Sequence, residues 1–156
     1  MTPSEKILFD EFTSIKEDII SLYDSRGRRA SGDFADEMEV EVDGLTVRLL
    51  GAAHTEYTVE GRGPGKFPPI DKIEEWIEEK GVAATIEGEI TVSSLAFLIA
   101  RKIAKEGTEV WKDGGDDLIS SVITPQRIEN IINKVTVFNV SEFTSRFTDL
   151  FQELAA

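Results

Sequence analysis

Between Glu60 and Gly81 the chain reads EGRGPGKFPPIDKIEEWIEEKG, a glycine-proline loop, a double proline and an amphipathic helix in one uninterrupted unit. Gly61, Gly63 and Gly65 allow backbone geometries closed to other residues, while Pro64, Pro68 and Pro69 fix φ between them. A loop of this composition has a shape of its own. It also brings Arg62 and Lys66 together in a chain of 17 basic and 30 acidic residues, with a formal charge of -13. Such a local positive spot is expected to meet a partner.

Behind the prolines, Ile70, Ile73 and Ile77 form one stripe, Glu74, Glu75, Glu78 and Glu79 lie outside it, and Gly81 is placed to end the helix. Trp76 sits beside the stripe and reads either as a partly buried packing residue or as an interface anchor. Ile86, Gly88 and Ile90 suggest at most a short extended connection. The most apolar helix follows at Val92 to Glu106, with an unbroken row from Leu95 to Ala100, then Arg101, Lys102 and Lys105 where cations complement the helix dipole, and Gly107 as a stop. Either it is the central helix of a small domain or one face waits for another subunit. Ala96, Ala100 and Ala104 form a ridge that lets a neighbouring element approach closely.

At the other end, Thr2-Pro3-Ser4-Glu5 is a capping box, and Leu8, Phe12, Ile15, Ile19 and Leu22 recur at helical spacing until Ser25-Arg26-Gly27. Residues 26–36, above all Arg28 to Asp36, have no period and read as a flexible segment or one ordered only on assembly. Met38, Val40 and Val42 alternate with glutamates, and Leu45, Val47 and Leu49 alternate beyond Asp43-Gly44. An Asp-Gly turn predicts a hairpin pairing Val42 with Leu45, Val40 with Val47 and Met38 with Leu49, with Glu39 opposite Arg48. Another strand is expected at Thr55 to Val59.

Gly107-Thr108 opens a polar loop containing Trp111, Asp113, Gly114, Gly115, Asp116 and Asp117. Thr124-Pro125 starts a helix with Ile128, Ile131, Ile132 and Val135, and the β-branched run Val135 to Val140 reads as a strand or a helix joint. Ser141 then caps a terminal helix with Phe143, Phe147, Leu150, Phe151 and Leu154 on one side, and Ala155-Ala156 is a fraying end. The expected fold is a single α+β domain over residues 1–156. In it a small antiparallel sheet, the hairpin plus one or two strands, packs against several helices, including amphipathic N-terminal and C-terminal ones.

Tests for chemistry mostly fail. With no cysteine, thiolate zinc sites, iron-sulfur clusters and disulfides are excluded. The apolar pattern at the N-terminus is interrupted by acids, and no run approaches the ~18 apolar residues of a membrane span, so neither a signal peptide nor a transmembrane helix is expected. The loop is not a Walker A motif, because Glu60 stands where the first glycine belongs and Phe67 follows Lys66 in place of Ser or Thr. Prolines also exclude a dinucleotide fingerprint, since they stand where its helix should open. His54, Glu56 and Glu60 would share a face on a strand and could form a metal site or a His-acid dyad, against the plainer reading of a solvated histidine. Asp113, Asp116 and Asp117 lack the spacing of a calcium loop and read as a turn. Catalytic, cofactor and metal residues are therefore all expected to be absent, and the net charge argues against tight nucleic-acid binding.

Tyr57 to Gly81 followed by Ser94 to Thr108 resembles virion proteins of tailed bacteriophages, in the group of tail-completion, neck (head-tail joining) and minor tail proteins. The resemblance covers about half the chain and rests on a GRxPGKxPP loop, an I-x-x-W-I-x-x-K-G helix and a LAFLIARKIAxEGT helix in that order. It implies a non-enzymatic α+β subunit of a homo-oligomeric ring at the head-tail junction or the adjoining tail end, assembled in the bacterial host cytoplasm and resident in the virion. Its partners would be other copies of itself and neighbouring connector, portal or tail proteins, with DNA passing nearby without specific binding. Arg62, Gly63, Pro64, Gly65, Lys66, Phe67, Trp76 and Phe97 are the expected interface residues. Arg62 and Lys66 would dock on acidic neighbours in a head-to-tail contact. The competing expectations are a minor tail or baseplate component and a small accessory enzyme built on His54.

Overall fold

The computed structural model describes residues 1–29, 32–85, 88 and 90–155, and the fold is α+β. In chain order come α1 (Pro3–Ser25), α2 (Asp33–Asp36), β1 (Glu39–Asp43), β2 (Thr46–Leu50), α3 (Thr55–Val59) and α4 (Ile70–Lys80). A 3-10 turn (Val82–Thr85), α5 (Val92–Glu106), α6 (Glu109–Lys112) and α7 (Pro125–Ala155) complete it. The chain divides into two compact units, one of Met1–Ile19, Met38–Leu50 and Ser120–Ala156, the other of Ile20–Glu37 and Gly51–Ile119.

In the first unit α1 begins with the expected capping box: Thr2 N–H donates to Glu5 Oε2, and Glu5 N–H donates to Thr2 Oγ1 at 3.2 Å. Backbone hydrogen bonds from Thr2 and Gly44 hold the Glu5 carboxyl below its ordinary pKa. The Gly44 bond also ties the hairpin tip to α1, at 3.2 Å.

α1 and the first half of α7 run antiparallel. Arg127 reaches Asp18 at 2.7 Å and Ser14 at 3.2 Å, Lys134 pairs with Glu11, and Ser4 Oγ donates to Asn139 Oδ1 at 2.9 Å. Along that stretch Leu8, Ile15 and Ile19 of α1 and Ile131 and Val135 of α7 are buried, as their helical spacing requires. Ser4 lies in the first turn of α1, so the remainder of α7 runs past the end of its partner.

The expected break at Val135 to Val140, with a new helix capped at Ser141, is corrected: α7 is one continuous helix of 31 residues. Thr124 caps it, accepting from Arg127 N–H at 3.2 Å, and no glycine or proline lies between Gln126 and Ala155 to stop it. Once nucleated, a helix continues through β-branched residues at small cost.

The hairpin forms, with a register shifted from expectation. Val42 pairs with Val47, Val40 with Leu49, Glu41 with Arg48 and Glu39 with Leu50. The two-residue turn is Gly44-Leu45, with Gly44 at a φ of 60°, and not Asp43-Gly44. Glycine at the first central position suits a type II′ turn, whereas the expected arrangement needed positive φ at Asp43. A shift of two residues leaves every side chain on its expected face. Among the described residues the sheet has these two strands alone.

In the second unit α4 packs on α5 through Ile73, Ile77, Ala96 and Ala100, flanked by Ile70, Val92, Leu95, Ile99 and Ile103. The alanine ridge brings the two helices close, as its spacing implies. Gly81 ends α4 in the left-handed conformation, with φ 64°.

Thr55 to Val59 is helical, not a strand. Thr58 N–H donates to His54 O at 3.1 Å and Glu60 N–H to Glu56 O at 2.7 Å, so the backbone is satisfied locally. Residues 30 and 31 of the expected flexible segment lie outside the described residues, as do Ile86 of the expected extended connection and Ala156 of the expected fraying end. The rest of the 26–36 segment has defined structure: Phe34 and Ala35 of α2 are buried, and the Phe34 ring stacks on Tyr23 at 4.2 Å. Phe34 is the apolar anchor in a segment whose polar composition suggests none.

Candidate functional site

The glycine-proline loop is fastened to the carboxyl end of α5 and to α6. Gly65 N–H donates to the Ala104 carbonyl and Thr108 N–H to the Arg62 carbonyl, each at 2.8 Å. Arg62 N–H returns a bond to Thr108 Oγ1 at 2.9 Å, and the same hydroxyl caps α6 by accepting from Trp111 N–H at 3.4 Å. Asp116 N–H donates to the Val59 carbonyl at 2.7 Å, closing the base of the loop.

Trp111 explains the glycines. A Cβ on Gly61 would stand 2.3 Å from Trp111 N and 2.7 Å from Thr108 Oγ1, and one on Gly107 would stand 2.8 Å from Trp111 Cε3. A Cβ on Gly63 would approach the indole Nε1 to 3.1 Å. Gly61 and Gly107 also hold φ values of 77° and 78°, where a side chain is strained in any case. The loop backbone is therefore a cradle for one indole, and its unusual composition serves close packing within the chain.

Arg62 braces this cradle. Its Nη2 donates to the Phe67 carbonyl at 3.4 Å, and its guanidinium lies 5.6 Å from the centre of the Tyr57 ring. Lys66 is exposed, and it has no ion-pair partner among the described residues. The loop also sets Phe67 beside Phe97 of α5, ring centres 5.9 Å apart. Phe67, Phe97 and Leu98 are each about half exposed, at 49%, 48% and 50%, beside a shallow depression lined by Ser93, Ser94, Phe97 and Leu98. Farther along the exposed side of α5 stand Arg101, Lys102 and Lys105, also unpaired among the described residues.

The structure thus brings together Phe67 and Phe97, leaves Pro64, Gly65 and Lys66 exposed at the loop tip, and turns Arg62 and Gly63 toward internal partners. Trp76 is exposed on α4 and forms no ring pair with Phe67 or Phe97 among the described residues.

The strand on which His54, Glu56 and Glu60 would share a face is absent. On a helix Glu56 and Glu60 lie four residues apart on one side, while His54, two residues before Glu56, falls on the other. Among the described residues no three His, Asp or Glu side chains come together as a group that could hold a metal ion.

Asp116 is a structural node. It accepts from Arg26 and Arg28 and from Leu118 N–H at 2.7 Å, while Asp117 pairs with Arg26 at 2.7 Å. These arginine partners lie about 90 residues away in sequence, where no local pattern connects them. Trp111 was visible only as an isolated aromatic in a polar loop, but glycines placed at Gly61, Gly63 and Gly107 are the mark of something large packed against backbone.

The chain matches no family model, no curated protein and no solved structure. No helix among the described residues is long and apolar enough to cross a membrane.

Proposed function

We propose that this chain is a non-enzymatic structural protein of tailed-phage particles, a subunit of a ring at the head-tail junction or at the tail end beside it. One observation carries the reading: the loop, α4 and α5, which hold the three ordered motifs of the resemblance, fold against one another and leave an outward patch of Phe67, Phe97 and Leu98 bordered by cations unpaired among the described residues. Apolar surface beside cations, on a chain of formal charge -13, suits acidic partners, among them other copies of the same chain. The same acidity would let DNA pass without being held. Connector, portal or tail proteins are the natural neighbours of such a ring.

The test is composition and loss of function. Particles purified from the phage that encodes this chain should contain it in a fixed number of copies, and Lys66→Glu with Phe97→Glu should block completion of infectious particles. Absence from purified particles would remove the proposal. His54→Ala should leave assembly unchanged, whereas an accessory enzyme built on that histidine would lose its function.

A further inference from the structure

Among the described residues the face of α7 beyond Asn139 has no partner. Asn139 meets Ser4 at the start of α1, so residues 141–155 extend past it by about 22 Å at helical rise. Phe143, Phe147, Leu150, Phe151 and Leu154 form one stripe on this overhang, exposed between 50% and 76%. The three phenylalanines already touch in series, with ring centres 5.7 Å and 4.8 Å apart. Together these side chains leave on the order of 500 Å² of apolar surface in water, the size of patch that marks an interaction site.

Charge selects the occupant. All four charged residues of the overhang, Glu142, Arg146, Asp149 and Glu153, fall on one flank of the stripe at helical spacing, with Thr144 and Thr148 on the other. Glu142 and Arg146 pair with each other at 3.2 Å, which leaves Asp149 and Glu153 unpaired among the described residues. The exposed side of α5 has the matching set: Phe97 and Leu98 for the apolar stripe, Arg101, Lys102 and Lys105 for the acids. Two overhangs laid against each other would instead bring like charges together.

We propose that residues 141–155 are an arm that docks across the exposed face of α5 in a second copy of this chain. The inference rests on the reading of the chain as a self-assembling subunit. Each copy then offers one arm and accepts another, a heterologous contact that propagates around a ring or along a filament.

Sedimentation of the full chain over a concentration series tests it. The unaltered chain should form species larger than a dimer. Phe147→Glu and Phe97→Glu should each weaken self-association about 30-fold or more, with circular dichroism unchanged. Mixing these two variants should give a one-to-one heterodimer and nothing larger, because one intact arm and one intact α5 face remain. Asp149→Lys with Glu153→Lys should also weaken association, and Arg101→Glu with Lys105→Glu in the partner should restore it. A chain that stays monomeric at every concentration would overturn the proposal, whether its arm folds back or takes a different partner. Dissociation by Phe147→Glu but not by Phe97→Glu would overturn it in favour of pairing between arms. Self-association of this pattern in a chain missing from phage particles would leave the contact standing and remove the virion reading; the opposite pair of results would do the reverse.

Discussion

The loop at residues 60–67 is bonded through its backbone to α5 and α6, whereas, among the described residues, 141–155 of α7 make side-chain hydrogen bonds only along their own helix. Irregular backbone needs partners elsewhere in the chain before it can hold a shape, so the loop's backbone is committed inward even where its tip is exposed. A helix satisfies its own backbone and can stand in solvent with an apolar face uncovered. Unusual composition therefore marks internal fit here, and ordinary amphipathic periodicity marks the outward surface.

Placing a side chain in the cradle attacks the inward-committed region most directly. Gly61→Val combines overlap with Trp111 N and positive-φ strain, and should cost about 3 kcal/mol or more, read as a lowered midpoint in urea. Within α7, Ile131→Ala should cost about 3 kcal/mol, because the side chain is buried alongside α1. Asp116→Ala leaves Arg28 without its carboxylate and Arg26 with Asp117 alone; since both arginines are partly exposed, about 2 kcal/mol is expected. Phe147→Ala should change monomer stability by no more than about 0.5 kcal/mol. Equal losses for Ile131→Ala and Phe147→Ala, measured on dilute protein, would break the distinction between the two halves of α7.

The smallest effect is expected at high pH. Burial raises the Tyr23 phenol above its ordinary pKa, and the hydroxyl donates to the Arg28 carbonyl at 3.0 Å. The folded state therefore favours the neutral phenol. That contribution is full below the ordinary value of about 10 and is lost as pH rises through the higher folded value. Thermal midpoints recorded from about pH 9 to pH 12 should fall more steeply for the unaltered chain than for Tyr23→Phe. Parallel curves would show that Tyr23 is not the responsible group.

Local signals predicted what local physics decides. The Thr2–Glu5 box, the Gly81 and Gly107 stops and the spacing of Ile73 and Ile77 specified α1, α4 and α5 almost to the residue. Elements that depend on distant partners were harder to read. Val135 to Val140 has strand-forming residues but sits in a helix capped by Thr124, whose Ile131 and Val135 are buried alongside α1. The hairpin's faces followed from alternation, while its register depended on which residue takes positive φ, and Gly44 does. For the candidate site, composition singled out the loop but could not distinguish a cradle from a docking tip, because Trp111 lies far along the chain. The pairing of Phe67 with Phe97 likewise required the loop to be folded onto α5.

The antiparallel seam between α1 and α7 sets an order of events during synthesis. Ile73 and Ile77 meet Ala96 and Ala100 across a short stretch of chain, so the α4–α5 pair can close early. Ser4 and Ser14 wait for Asn139 and Arg127, which follow 135 and 113 residues later. Until those residues leave the ribosome, Leu8, Ile15 and Ile19 remain an uncovered apolar stripe on the nascent chain, the kind of surface that chaperones hold. Stalled chains ending before Pro125 should retain ribosome-associated chaperones longer than chains that include α7, and equal retention would argue against this order.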